Sequence, residues 1–151
     1  MAVSAIQDAR IRSSAKPSVA ELIERARTIG VVAREKALET EQRRHVSAEL
    51  IGMMRDAELF RLMQPERFGG FEYGYDVFVE LVAAIGAGDG STGWVYSLGA
   101  VHPWLIACYP DEAQKEVWSQ DRDAIAAVSY APAGKAVPDK DGYRLTGRFS
   151  F

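Results

Sequence analysis

Between Ser18 and Ala37 apolar residues recur three and four positions apart: Leu22, Ile23, Ala26, Ile29, Ala33 and Ala37. That spacing traces one face of a helix and predicts an amphipathic helix here. Pro17-Ser18 opens it, and Ser18 with Glu21 forms a capping box, in which hydroxyl and carboxylate each take an orphan backbone N–H. The pattern fades after Leu38 in a charged stretch. A second helix is predicted from about Ser47 to Ala57, with Leu50, Ile51, Met53 and Met54 as its apolar set; paired methionines at this spacing read as core filler. Pro65 then stops the run, and Gly69-Gly70 supplies backbone freedom. A third helix is predicted from an Asp76 N-cap, packing Val77, Phe78, Leu81, Val82 and Ile85 inward, with Gly86, Gly88 and Gly90 at its end. Ser91 or Thr92 is expected to cap a fourth helix. Asp111, followed by Gln114, is expected to cap a fifth that runs to about Ser119.

The fourth helix differs from the others. From Trp94 to Tyr109 it is apolar on nearly every face, the pattern of a helix buried in a protein or lodged in a membrane. The stretch is shorter than the roughly 20 residues that cross a bilayer. His102 and Pro103 interrupt it, and Asp111 and Glu112 follow where a basic flank would be needed. It is therefore expected to be a buried helix of a protein with no membrane span. A buried histidine must be hydrogen-bonded, and histidine is the side chain suited to proton transfer near neutrality. His102 is thus the first candidate for chemistry, with a hydrogen-bonded core histidine as the alternative. Cys108, in the same stretch, is expected to be a small buried packing residue.

After Asp123 the character changes. Ala124–Tyr130 is short and apolar and reads as a buried strand ending at Pro132. Asp139–Gly142 reads as a turn. Gly142–Phe151 alternates in part, with Tyr143, Leu145 and Phe149 on one face. The fold class expected is mainly α: a tail over 1–16, a helical domain over 17–122, and the first antiparallel strands of a β domain over 123–151. Two or three strands are marginal alone, so the β domain is expected to be incomplete at Phe151. A small α+β domain ending in an edge strand is the alternative.

Composition narrows the functional classes. The 151 residues are 48% hydrophobic and 26% charged with a net charge of −3, which is ordinary globular usage without the basic footprint of a nucleic-acid binder. Arg43-Arg44-His45 sits among Glu39, Glu41 and Glu49 and reads as a solvated face. The N-terminus lacks the apolar core of a secretory signal, and one cysteine excludes a disulfide framework, so a cytoplasmic protein is expected. No cluster of Cys, His and carboxylate has metal-ligand spacing. Neither GxSxG nor a P-loop is present. Gly86-Ala87-Gly88-Asp89-Gly90 lacks both the GxGxxG spacing and a preceding strand, and reads as a helix–helix turn.

Taken in order, several segments together resemble the acyl-CoA dehydrogenase fold. They are Pro65–Gly70, the helix after Asp76, Asp111–Trp118, the run into Ser129–Gly134, and Gly142–Gly147. Gly88–Trp94 with Val101-His102-Pro103 resembles the flavin-dependent monooxygenase branch of that fold, the oxygenase components of two-component phenol hydroxylases. The resemblance spans residues 17–151. It implies reduced flavin, FMN or FAD, delivered by a separate flavin reductase, and transfer of one oxygen atom from O2 to an aromatic, often phenolic, substrate.

The resemblance also implies residue roles. His102 would face substrate and flavin and accept the phenol proton, with Trp94 beside the substrate. Ser129, Tyr130 and Ala131 would lie beside the flavin ring, flanked by Phe149, Ser150 and Phe151. It further implies a homotetramer built through a C-terminal helical bundle. Two alternatives stay open: an acyl-CoA dehydrogenase acting on CH–CH bonds next to a thioester, and a non-catalytic fragment or helical interaction module.

Overall fold

The computed structural model describes residues 16–131 and 133–149. Helix α1 (Val19–Glu35) begins as its sequence predicts. The Glu21 N–H donates to Ser18 Oγ at 3.3 Å, and the Ser18 N–H donates to the Glu21 carboxylate at 2.7 Å. The carboxylate also accepts from the Ser18 hydroxyl at 2.8 Å; the Ser18 N–H bond most of all, and then the hydroxyl bond, hold the Glu21 carboxyl below its ordinary value. Leu22, Ala26, Ile29 and Ala33 form its buried face. The charged stretch that follows is not unstructured. It makes a separate short helix, α2 (Ala37–Arg43), which Arg44 ends in the left-handed region at φ 57°.

Helix α3 (Ala48–Asp56) is capped by Ser47, whose side chain accepts from the Leu50 N–H. Single 3₁₀ turns at Leu59–Arg61 and Glu66–Phe68 lead to α4 (Tyr75–Gly86). Gly74 occupies the cap position of α4, so Asp76 lies in the first turn instead of capping it. There its carboxylate still complements the positive end of the helix.

Helix α5 (Gly90–Ala107) is capped by Asp89, not by Ser91 or Thr92. The Asp89 carboxylate accepts from the Thr92 N–H at 2.7 Å and from its hydroxyl at 2.6 Å. Helix α6 (Asp111–Trp118) has Pro110 at its cap, and Asp111 is its first residue, paired with Arg67 at 2.9 Å.

Helix α4 packs against both α1 and α5, and the glycine-rich turn makes that possible. A Cβ on Gly88 would lie 1.8 Å from the Gly30 carbonyl oxygen, and one on Gly93 would lie 2.8 Å from Gly86 Cα. The backbones touch where any side chain would hold them apart. The core runs through Leu22, Ile29, Leu50, Met54, Leu81 and Ile85.

Beyond the caps, three further expectations are corrected. Helix α5 is not buried all round: Trp94 and Trp104 are about half exposed, because the neighbouring elements cover the other side of the helix more fully. Cys108 is exposed; it sits in the last turn, donating to the Trp104 carbonyl at 3.4 Å, instead of packing in the core. Residues 124–130 form no strand: they have no regular secondary structure, and the described sheet holds only β1 and β2. The two strands come later. β1 (Gly134–Asp139) pairs antiparallel with β2 (Gly142–Gly147), with Asp139 opposite Gly142 across the predicted turn. Among the described residues no helix is long and apolar enough to cross a membrane.

A candidate active site on the fourth long helix

Pro103 lies inside α5 and has no N–H, so the Gly99 carbonyl one turn back loses its helical partner. His102, immediately before it, is only 3% exposed. Its Nδ1 lies 2.6 Å from the Ala126 carbonyl oxygen. A carbonyl can only accept, so Nδ1 carries the hydrogen, and in the neutral ring Nε2 is a bare acceptor. Nε2 is buried and has no hydrogen-bond partner among the described residues. An orphaned buried polar atom typically costs about 1–3 kcal/mol, so this one needs a reason to persist.

The reason lies in what the ring faces. His102 lines an open cavity of about 380 Å³ walled by Phe60, Leu98, Gly99 and the segment Ile125–Val128. The walls are almost wholly apolar, leaving the imidazole as the chief side-chain polar group. Gly99 shapes the wall: a Cβ there would lie 2.6 Å from Phe60 Cε1 and 3.4 Å from Ile125 Cγ2.

The far wall is tied to the helices by polar contacts that sequence reading missed. Arg61, 7% exposed, donates from Nε to Asp123 Oδ1 at 2.5 Å and from Nη1 to Glu58 Oε1 at 2.8 Å. Gln64 Nε2 donates to the Arg122 carbonyl at 3.1 Å. Both side chains come from the Leu59–Gln64 stretch, whose apolar neighbours hid them. An arginine among Leu59, Phe60, Leu62 and Met63 is the one local signal, since a charge there has to be paired.

The other expected site residues are placed unevenly. Ser129, Tyr130 and Ala131 follow directly from the cavity wall at Val128; all three are exposed, and Tyr130 is 74% exposed. Phe149 lies against the hairpin, its ring filling the space a Cβ on Gly134 would occupy, beside Leu145. Ser150 and Phe151 lie outside the described residues. Trp94 does not line the His102 cavity. It borders a second open groove, of about 560 Å³, with Thr40, Arg44, His45 and Ser91; Val95 lines both spaces. The structure therefore brings His102 beside the segment that leads into Ser129–Ala131, and sets Trp94 two turns away along α5.

Residues 18–121 match the family profile described as acyl-CoA dehydrogenase, N-terminal domain. The chain is 38% identical over 136 residues to the FADH(2)-dependent resorcinol hydroxylase, oxygenase component, of Rhizobium sp. (strain MTP-10005), covering 90% of this chain and 33% of that protein. It is 36% identical over 118 residues to the flavin-dependent monooxygenase oxygenase subunit HsaA of Rhodococcus jostii (strain RHA1), covering 78% and 31%. Among solved structures, the HsaA monooxygenase from M. tuberculosis superimposes with a TM-score of 0.80 at 31% identity, over 87% of this chain and 36% of that one. XiaF from Streptomyces sp., solved with FADH2 and glycerol, superimposes with a TM-score of 0.79 at 28% identity, over 96% and 34%. The chain thus spans about a third of the length of the curated relatives it matches.

Proposed function

The chain belongs to the acyl-CoA dehydrogenase N-terminal domain family, and on that premise we propose that it forms part of the oxygenase of a two-component, flavin-dependent aromatic hydroxylase. The observation that carries this reading is the His102 imidazole: its Nε2 is buried, unpartnered among the described residues and fixed as an acceptor by the Ala126 carbonyl, and the residue lines an apolar cavity.

The residues present suit a flavin at the cavity mouth. Ser129, Tyr130 and Ala131 are exposed and continue from the cavity wall. They can line the polar edge of an isoalloxazine, with Phe149 as an apolar neighbour. Reduced flavin, when bound, supplies the electrons and the activation of O2 that place one oxygen atom on the substrate. The names of relatives favour FAD as that flavin.

The chain's own residues do the rest. His102 Nε2 accepts the substrate O–H, drawing the proton off the phenol oxygen and enriching the ring in electrons. A positioned base of this kind typically contributes about 10²–10⁴-fold. Phe60, Leu98, Gly99 and Ile125 hold the aromatic ring and keep water from the reacting carbon. A separate flavin reductase provides the reduced cofactor, and the half-exposed Trp104, edge-on to Tyr75 at 6.0 Å between ring centroids, supports homo-oligomeric assembly, a tetramer in our reading.

The test uses the full-length polypeptide that contains this chain, chemically reduced FAD, ¹⁸O₂ and a panel of monohydric phenols. One labelled oxygen per diol product is expected. No labelled product from any phenol, together with anaerobic bleaching of bound oxidised flavin by a fatty acyl-CoA, would assign the chain to the dehydrogenases instead.

A further inference from the structure

We infer that Arg61 and Asp123 are positioning residues for His102: their ion pair holds the Ala126 carbonyl in place and so selects the ring tautomer that leaves Nε2 free to accept. This rests on the role proposed for His102.

Residues 124–128 belong to no strand of the described sheet, so no sheet ladder fixes the Ala126 carbonyl. The fixing must come from the segment's start. Asp123 stands three residues before Ala126 and receives both Nε and Nη2 of Arg61 at 2.5 Å. Arg61 cannot shift freely, because its side chain is 8% exposed and its Nη1 is held by Glu58. Glu58 is in turn bound by Arg25 at 3.4 Å. Ile125 then packs against the core and against the Gly99 position, and Ala126 meets His102 Nδ1. The path from a buried guanidinium to the imidazole is short and continuous: one ion pair, three residues of backbone, one hydrogen bond. If the carbonyl moves away, Nδ1 loses the acceptor that kept its hydrogen. The hydrogen can then move to Nε2, which turns the ring's bare acceptor into a donor.

In the full-length polypeptide, ¹⁵N-histidine labelling reports each imidazole by NMR, and the His102 and His45 signals are assigned by their loss in His102→Asn and His45→Gln. His45, whose Nδ1 bonds the Arg43 carbonyl at 2.9 Å, serves as an internal control remote from the pair. In the wild type both rings should show a protonated Nδ1. Asp123→Asn and Arg61→Lys should move the His102 signals toward a protonated Nε2 and leave His45 unchanged, and Asp123→Glu should restore part of the native pattern. In the full-length polypeptide, Asp123→Asn should lower product formed per reduced flavin by about 10-fold, since a misplacement of about 1 Å can cost ~10²-fold. In a His102→Asn background the same change should have less than about a 2-fold further effect, because residues acting through one another are not additive.

Folded variants with an unchanged His102 pattern would overturn the inference, as would unfolding of both, which would make the pair a support of the fold alone. A tautomer that moves while coupling to product does not would uphold the positioning role and reject the proposed role of His102 in hydroxylation.

Discussion

Gly99→Ala sets two effects of opposite sign against each other. Glycine inside a helix costs roughly 0.5–1 kcal/mol relative to alanine, so on backbone grounds alone the change should stabilise the protein. At Gly99, however, the new methyl would sit 2.6 and 2.9 Å from two carbons of Phe60. Phe60 is 6% exposed and packs near the Tyr96 ring at 5.9 Å, so it has little room to yield. Forcing an extra carbon into such a core typically costs about 1–3 kcal/mol. Gly52, inside α3, is the matched control, because a Cβ there meets nothing within 4 Å. The backbone gain cancels between the two variants, so their difference isolates the packing term. Gly52→Ala should be more stable than Gly99→Ala by about 1–3 kcal/mol, with the wild type between them or level with Gly99→Ala. Urea denaturation of wild type and both variants under one set of conditions measures it, and Phe60→Leu added to Gly99→Ala should recover part of the loss. Equal stabilisation by the two alanines would refute the reasoning, since it would mean that the cavity wall at Gly99 is not close-packed.

Asp89→Ala should destabilise α5 by about 1 kcal/mol by orphaning the Thr92 N–H, whereas Ser91→Ala should fall within about 0.5 kcal/mol of the wild type; thermal melts of the pair check which residue is the cap. Glu21 has its carboxyl held below the ordinary value by the Ser18 backbone bond, so its contribution is present above the unfolded carboxylate value and lost as pH falls through the lower folded one. Stability measured against pH in that acid range should therefore fall less steeply in Glu21→Gln than in the wild type, and parallel curves would contradict the assignment.

Helices with a single apolar face were legible from spacing alone, as were the Ser18–Glu21 box and the role of the glycine-rich turn, because each is set within a few residues. The caps were less so. Asp89 hid between two glycines that read as loop, Gly74 took the cap two positions before Asp76, and Pro110 took it one position before Asp111. What the sequence could not carry was non-local. Ala124–Tyr130 has the composition of a strand, but a strand exists only with a partner. The apolar face of α5 at Trp94 and Trp104 predicts burial, yet burial depends on which element arrives to cover it. His102 was legible as a candidate through its isolation among apolar residues. Its tautomer was not, because the Ala126 carbonyl is 24 residues away and is brought there by the tertiary fold, with Arg61, a charge embedded in an apolar run, tied to the start of its segment.

The central claim is that His102 Nε2 receives the substrate's proton. Its most direct test is the ratio of hydroxylated product to reduced flavin consumed, measured for wild type and His102→Asn in the full-length polypeptide across pH 6–9, with thermal stability followed on the same samples. Asparagine keeps a polar group of similar reach but cannot take a proton, so the account predicts that flavin binding survives. The ratio should fall by about 10²-fold or more, within the range expected for loss of a general base, with hydrogen peroxide released in place of product. An equally stable His102→Asn protein that couples flavin to product as well as the wild type at every pH would contradict it.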